Sequence, residues 1–248
     1  MRAVTLRREQ TARGLLILVD PAHPLRPGPD PELTVPDSRY PAVLLERRAA
    51  GLLAACIRAA GGERDIVPVS GWRSRAEQQS IWDDTWAREG EAFTRRYVAL
   101  PGCSEHQTGL AVDLGKRSGD IDFIRPDFPD SGACGAFRRL AADYGFIQRY
   151  RREKEAVTKI AEEPWHFRYV GAPHARLMED HGLCLEEYGD FLRESPRTCA
   201  LPNGRRATAS YLPCPGGETE LEVPDNACFQ VSGHNDGGFI VTMWEAVS

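Results

Sequence analysis

A chain of 248 residues is long enough to bury a substantial core, as one medium domain or one domain with a modest appendage, so disorder is not the expectation. Its 42% hydrophobic and 27% charged residues are ordinary for a soluble globular protein, and a formal net charge of −5 supplies no broad basic face for nucleic acid. Seven scattered cysteines, an odd number without a CxxC pair, argue against a closed disulfide framework and read as reduced, small apolar residues.

Near the N-terminus the only apolar run, Leu15 to Val19, is too short for a signal core or a membrane span. A cytoplasmic protein is therefore expected, and a cell-envelope location would need an anchor or signal absent from this chain. Pro21, Pro24, Pro27, Pro29, Pro31, Pro36 and Pro41 make residues 20–41 an extended or turning lead-in. Apolar spacing from Leu44 to Ile57 predicts a helix over about 42–60, ended by Gly61 and Gly62. The β-branched "DIVPVS" predicts a strand into Ser70, and the capping-box spacing of Ser74 and Glu77 starts a second helix at about Arg75. Arg73 thereby falls at a strand-to-helix junction, where side chains project into clefts.

Further along, 111–114 reads as a short buried strand, 133–144 as a helix stopped by Gly145, and "FIQRY" and "WHFRYV" as strands. The charged runs "RRYVALPG" and "RYRREKEAVTK" read as solvated faces. Two helices near 173–181 and 185–194 follow. From about Pro196, turn residues separate the short β-like runs "ATASYL", "ETELEV", "CFQVSG" and "GFIVTMWEA". The expected architecture is α+β, a small antiparallel sheet flanked by helices over 1–195, with an all-β extension over 196–248.

Two stretches carry chemistry. In "SEHQTGLAVDLG", Gly109 permits a sharp turn after His106, and Ala111 and Asp113 share one face of the strand that follows. In "EEPWHFRYVG", His166 and Arg168 face one way and Trp165, Phe167 and Tyr169 the other. Pro164 frees Glu163 from that alternation. Catalytic zinc takes three protein ligands and leaves a position for water, and His106, Asp113 and His166 can supply the three. Zinc lowers the pKa of its water toward about 7, and Glu163 is placed to take the proton as the water attacks a carbonyl. Arg73 is the candidate to neutralise the oxyanion. Against these stand plainer readings: a satisfied structural histidine or aspartate, a surface ion pair for Arg73, and core positions for Trp165 and Tyr169. Cys103 adjoins the first motif, but as a nucleophile it would need a partner histidine that also escapes metal duty.

With "SGWRSRAEQQ", "SEHQTGLAVDLG" (the pattern SxHxxGxAxD) and "EPWHFRYVG" (ExxH) in this order, the sequence resembles the VanY-type zinc D,D-carboxypeptidases. That family includes the VanXY-type dipeptidase/carboxypeptidases and the related L,D-carboxypeptidases of peptidoglycan metabolism. The match covers roughly residues 14–195. The resemblance implies one zinc ion per chain on His106, Asp113 and His166, with Glu163 as base and Arg73 at the oxyanion. It also implies that Gln78 and Ser104 hold the substrate's peptide or terminal carboxylate, Gln79 and Glu162 being one residue off the family spacing. Gln78 could instead be an exposed helix residue, and Ser104 a turn or cap.

The implied activity removes a C-terminal D-amino acid, D-Ala, from peptidoglycan stem peptides or their precursors. L,D-carboxypeptidase or D,D-dipeptidase action is the alternative within the family. A non-catalytic module that binds cell-wall peptide is the alternative outside it, and the retained Glu163 speaks against that. Relatives commonly carry a proline and a glycine where this chain has Arg151 and Lys159, which bears on the shape of one cleft edge.

Overall fold

The computed structural model describes residues 1–26, 28, 30–201 and 204–245. Pro27 and Pro29 of the lead-in and Ala246 of the last β-like run lie outside the described residues. Two compact units divide the chain: Val19–Tyr169, and Met1–Leu18 together with Val170–Ser248. The expected boundary at 195/196 thus differs from the observed grouping, in which the helices after residue 170 associate with the β-rich part. The first strand, β1 (Arg2–Arg7), which sequence periodicity did not reveal, belongs to that second unit.

In the unit Val19–Tyr169, β2 (Leu33–Thr34) pairs with β3 (Leu45–Glu46) just before α1 (Arg47–Ala59). The helix starts five residues later than the apolar spacing predicts. The reason is local: the Glu46 carboxylate caps it by accepting from the Arg48 and Ala49 backbone N–H groups, and the Glu46 N–H donates to the Gly109 carbonyl. Ala49, Leu53, Cys56 and Ile57 then form its buried face, each large apolar side chain contributing about 1.5–3 kcal/mol.

β4 (Ile66–Ser70) follows as expected, and α2 (Arg75–Glu89) begins with both halves of the Ser74–Glu77 capping box formed. The run read as a solvated face begins in the last turn of α3 (Glu91–Tyr97); Arg95 and Arg96 are exposed, but Val98 is buried. β5 (Ala111–Lys116) is buried except at its last residue. α4 (Gly132–Leu140) gives way to a 3-10 turn over Ala141–Tyr144, and Gly145, at φ +85°, ends it.

β6 (Phe146–Tyr150), a short α5 (Glu155–Thr158) and β7 (Glu163–Tyr169) complete the unit. Four strands form one antiparallel sheet in the order β4-β5-β7-β6. Phe167 of β7 packs edge-on against Phe128 and Phe137, with ring centroids 5.4 and 5.0 Å away. Such pairs add about 0.5–1.5 kcal/mol beyond area burial. They fix β7 from behind.

α5 ends at Lys159, whose φ of +61° is the only positive value at a non-glycine among the described residues. An L side chain is strained there. Lys159→Gly is therefore expected to raise stability by about 0.5–1 kcal/mol, net of the unfolded-state entropy glycine adds. A urea midpoint that rises at unchanged slope checks it, and a lower midpoint contradicts it.

In the other unit, α6 (Ala172–Asp180) and α7 (Leu185–Glu194) match the predicted helices. β8 (Arg197–Ala200), β9 (Arg206–Pro213), β11 (Cys228–His234) and β12 (Gly238–Trp244) form a sheet in the order β11-β12-β9-β8, while β10 (Glu218–Val223) pairs with β1. Leu6, Leu221, Val223, Phe239 and Val241 share one core cluster. Elsewhere in this unit His174 is buried between the Tyr188 hydroxyl (2.8 Å) and the Thr242 hydroxyl (2.9 Å), a structural histidine. All seven cysteines are free thiols. No helix among the described residues is long and apolar enough to cross a membrane.

Candidate active site

All seven predicted site residues fall in the unit Val19–Tyr169 and line one cavity. His106 sits in a 3-10 turn, Glu105–Thr108, closed by Gly109 at φ +71°. A Cβ at Gly109 would meet the Glu46 backbone nitrogen at 3.1 Å, so both backbone conformation and space require glycine. The turn leads directly into β5, where Asp113 lies opposite Ser70 of β4 on one side and His166 of β7 on the other. Across the β6–β7 ladder the register shifts between Gln148 and Tyr150. That irregularity, beside Pro164, breaks the alternation and turns Glu163 to the His166 side, its Oε2 3.7 Å from His166 Nδ1.

His106 Nδ1 donates to the Gly71 carbonyl at 2.7 Å, so its Nε2 presents a lone pair. Burial, then the Arg73 charge, pulls this histidine down to about 4, which keeps it neutral. Yet Nε2 faces the Asp113 Oδ2 at 3.2 Å. Two acceptors in apposition, both buried, call for a cation between them. His166 Nδ1 lies 2.9 Å from Asp113 Oδ1. Burial opposes its protonation, but the adjacent carboxylates of Asp113 and Glu105 outweigh that and hold it up at about 9. Asp113 is likewise driven well below the usual carboxylate range: burial acts upward, and His106 and then His166 override it. One donor atom each from His106, Asp113 and His166 lie within 4.8 Å of one another. Two imidazoles and a carboxylate are the nitrogen and oxygen donors that zinc accepts.

Glu163 has a different environment. Burial pushes its carboxyl up to about 8, and the neighbouring His166 and Arg73 only partly offset that. Arg73 enters from the junction between β4 and α2, as predicted, with Nη2 3.4 Å from Asp113 Oδ2. Among the described residues it is the only arginine or lysine lining the cavity.

Gln78 is 1% exposed, not a surface helix residue. Its Oε1 accepts from Arg73 Nη1 at 3.2 Å and its Nε2 donates to the Ala99 carbonyl at 2.8 Å. Ser104 is buried at the N-terminus of the 3-10 turn, and no side-chain hydrogen bond caps that turn. Trp165, expected in the core, is half-buried and lines the cavity, whereas Tyr169 is buried as expected. Cys103 does not line it, and burial raises its thiol.

The remaining wall was not read from the sequence. Val98, Phe123, Ile124, Tyr150 and Ile160 come from loops, strand ends and the segment after α3. They leave a cavity of about 50 Å³. Glu105 was also missed. Arg149 and Arg168, each a cation inside a strand, signalled it, because a buried cation demands a buried counter-charge.

A neutral imidazole, a second imidazole and a carboxylate converge beside a buried glutamate and a guanidinium, the set of groups a metallopeptidase centre requires. Comparison with known proteins agrees. The family model "VanY: D-alanyl-D-alanine carboxypeptidase" matches residues 43–172, and the chain belongs to this family. It is 43% identical over 188 residues to the bifunctional D-Ala-D-Ala dipeptidase and D-Ala-D-Ala carboxypeptidase VanXYC of Enterococcus gallinarum, covering 75% of this chain and 98% of that one. Among solved structures it is similar to the vancomycin-resistance D,D-dipeptidase VanXYg in complex with a D-Ala-D-Ala phosphinate analogue. There the TM-score is 0.95 at 44% identity, covering 98% of this chain and 99% of that one. A VanY D,D-pentapeptidase from a VanB-type resistance cassette, in complex with Zn(II), matches at TM-score 0.58 and 33% identity, over 70% of this chain and 98% of that one.

Proposed function

We propose that this chain is a zinc D,D-carboxypeptidase that hydrolyses the terminal D-Ala-D-Ala bond of peptidoglycan stem peptides or their precursors. The observation that carries the reading is the His106 lone pair aimed at the Asp113 carboxylate, with His166 beside it and Glu163 within reach. His106 through Nε2, Asp113, and His166 through Nδ1 would hold one zinc ion. When bound, zinc supplies a polarised scissile carbonyl and a water whose pKa is lowered to about 7.

This chain's own residues do the rest. Glu163 takes the proton of the attacking water and later delivers it to the leaving amine. Arg73 faces the negative charge that develops on the carbonyl oxygen. Gln78 holds the guanidinium plane through Oε1 and, with Ser104, borders the space for the substrate's peptide or terminal carboxylate. Ile81, Val98 and Ile124 give the same cavity an apolar wall.

Whole-chain likeness to a D,D-dipeptidase, including the β-rich unit, favours a second reading in which free D-Ala-D-Ala is also cleaved. Incubation of the zinc-loaded protein with D-Ala-D-Ala, a pentapeptide ending in D-Ala-D-Ala, and a tetrapeptide tests both. Release of D-Ala from the pentapeptide is expected, and none from the tetrapeptide. Cleavage of the dipeptide adds the second reading. No release from any of the three ends the proposal, and release from the tetrapeptide alone makes the enzyme L,D-specific.

A further inference from the structure

Glu105 takes no part in the chemistry above, yet it is a carboxylate 2% exposed at the back of the site. Its Oε1 accepts from Arg149 Nε at 2.8 Å and pairs with Arg168 Nη1 at 2.9 Å. Both arginines are themselves buried, at 2% and 0% exposure. Its other oxygen, Oε2, has no hydrogen-bond partner. It lies 3.6 Å from His166 Nε2, which is also buried and also has no hydrogen bond. Two unsatisfied, complementary atoms facing each other in a dry interior are costly to leave apart. They meet once His166 carries its proton on Nε2, and that tautomer leaves the Nδ1 lone pair for a metal.

We propose that Glu105 is a positioning residue for the metal centre, fixing the tautomer and ring orientation of His166 through Nε2–H while Arg149 and Arg168 lock the carboxylate in place. The proposal rests on the zinc reading above. His106 is served in the same way from its other side by the Gly71 carbonyl. The two ligand histidines are therefore held in opposite tautomers, one by a backbone carbonyl and one by a side-chain carboxylate. Tyr150 steadies the arrangement: the Arg149 guanidinium lies 4.8 Å over its ring, and that ring is 5.1 Å from the His166 ring.

Outer carboxylates of this kind change metal affinity by roughly 10- to 100-fold. The test is zinc affinity by competition with a chromophoric chelator. Because Glu105→Gln alone leaves two buried cations facing one neutral amide, it is made together with Arg168→Met, and Arg168→Met alone is the control. The double variant is expected to bind zinc 10- to 100-fold more weakly, and the control, in which Arg149 still holds Glu105, within a few-fold of wild type. Imidazole nitrogen NMR of the zinc-loaded wild-type protein gives a readout independent of any substitution. His106 is expected to be protonated on Nδ1 and His166 on Nε2. Unchanged affinity in the double variant, or a His166 ring protonated on Nδ1, overturns the proposal and leaves the zinc reading standing. A wild-type chain that takes up no zinc overturns the zinc reading and this inference with it.

Discussion

Glu163→Gln is expected to lower kcat for D-Ala release by about 10²–10⁴-fold, the range for removing a positioned general base, while KM and a zinc content of one ion per chain stay unchanged. Glutamine keeps the volume of the side chain in a site where glutamate is 6% exposed, so packing survives. What it loses is the capacity to accept a proton. Burial raises the Glu163 carboxyl to about 8, and the charge of a dication beside it would draw that value back toward neutrality. A base poised near the working pH accepts a proton from water and gives it to an amine with little cost either way. Glu162 provides the internal control. It pairs with Arg152 at 2.7 Å and does not line the cavity, so Glu162→Gln leaves turnover intact. A Glu163→Gln enzyme within a few-fold of wild type would show that the base lies elsewhere.

The convergence of His106, Asp113 and His166 was legible because ligand chemistry restricts residue type and spacing together. His106, the turn glycine and Asp113 lie within eight residues, and the structure joins them through one turn and one strand. Glu163 was legible through Pro164, whose disruption of strand pairing appears as the register shift opposite it. The capping box at Ser74 was similarly local. What escaped was set by long-range packing. β1 looks like no strand until it meets β10, more than two hundred residues away. The start of α1 depended on the Gly109 carbonyl claiming the Glu46 N–H. Trp165 followed the strand alternation, but its exposure depended on where Ile160 and Phe123 come to rest around the cavity. Glu105 could have been inferred only by asking what neutralises Arg149 and Arg168.

Arg73→Ala is expected to lower kcat by about 10²–10³-fold, the cost of deleting one group aimed at a developing oxyanion. The contact with Asp113 at 3.4 Å admits another role, in which Arg73 merely holds a zinc ligand in place. The two roles predict opposite signs for metal affinity. A guanidinium beside a dication is repulsive, so its removal strengthens zinc binding or leaves it unchanged if Arg73 serves the reaction, whereas loss of a ligand's support weakens it. Gln78→Ala sharpens the distinction. Its amide oxygen braces Nη1 without touching Asp113, so the reaction role predicts a smaller loss of kcat of the same kind, again with zinc affinity preserved. Arg73→Lys restores charge but not the planar fork that Gln78 and Asp113 engage, and should recover only part of the rate. Chelator competition and steady-state kinetics on the three variants decide the matter: weaker zinc binding in Arg73→Ala, with kcat restored at saturating zinc, would reduce Arg73 to a support for Asp113.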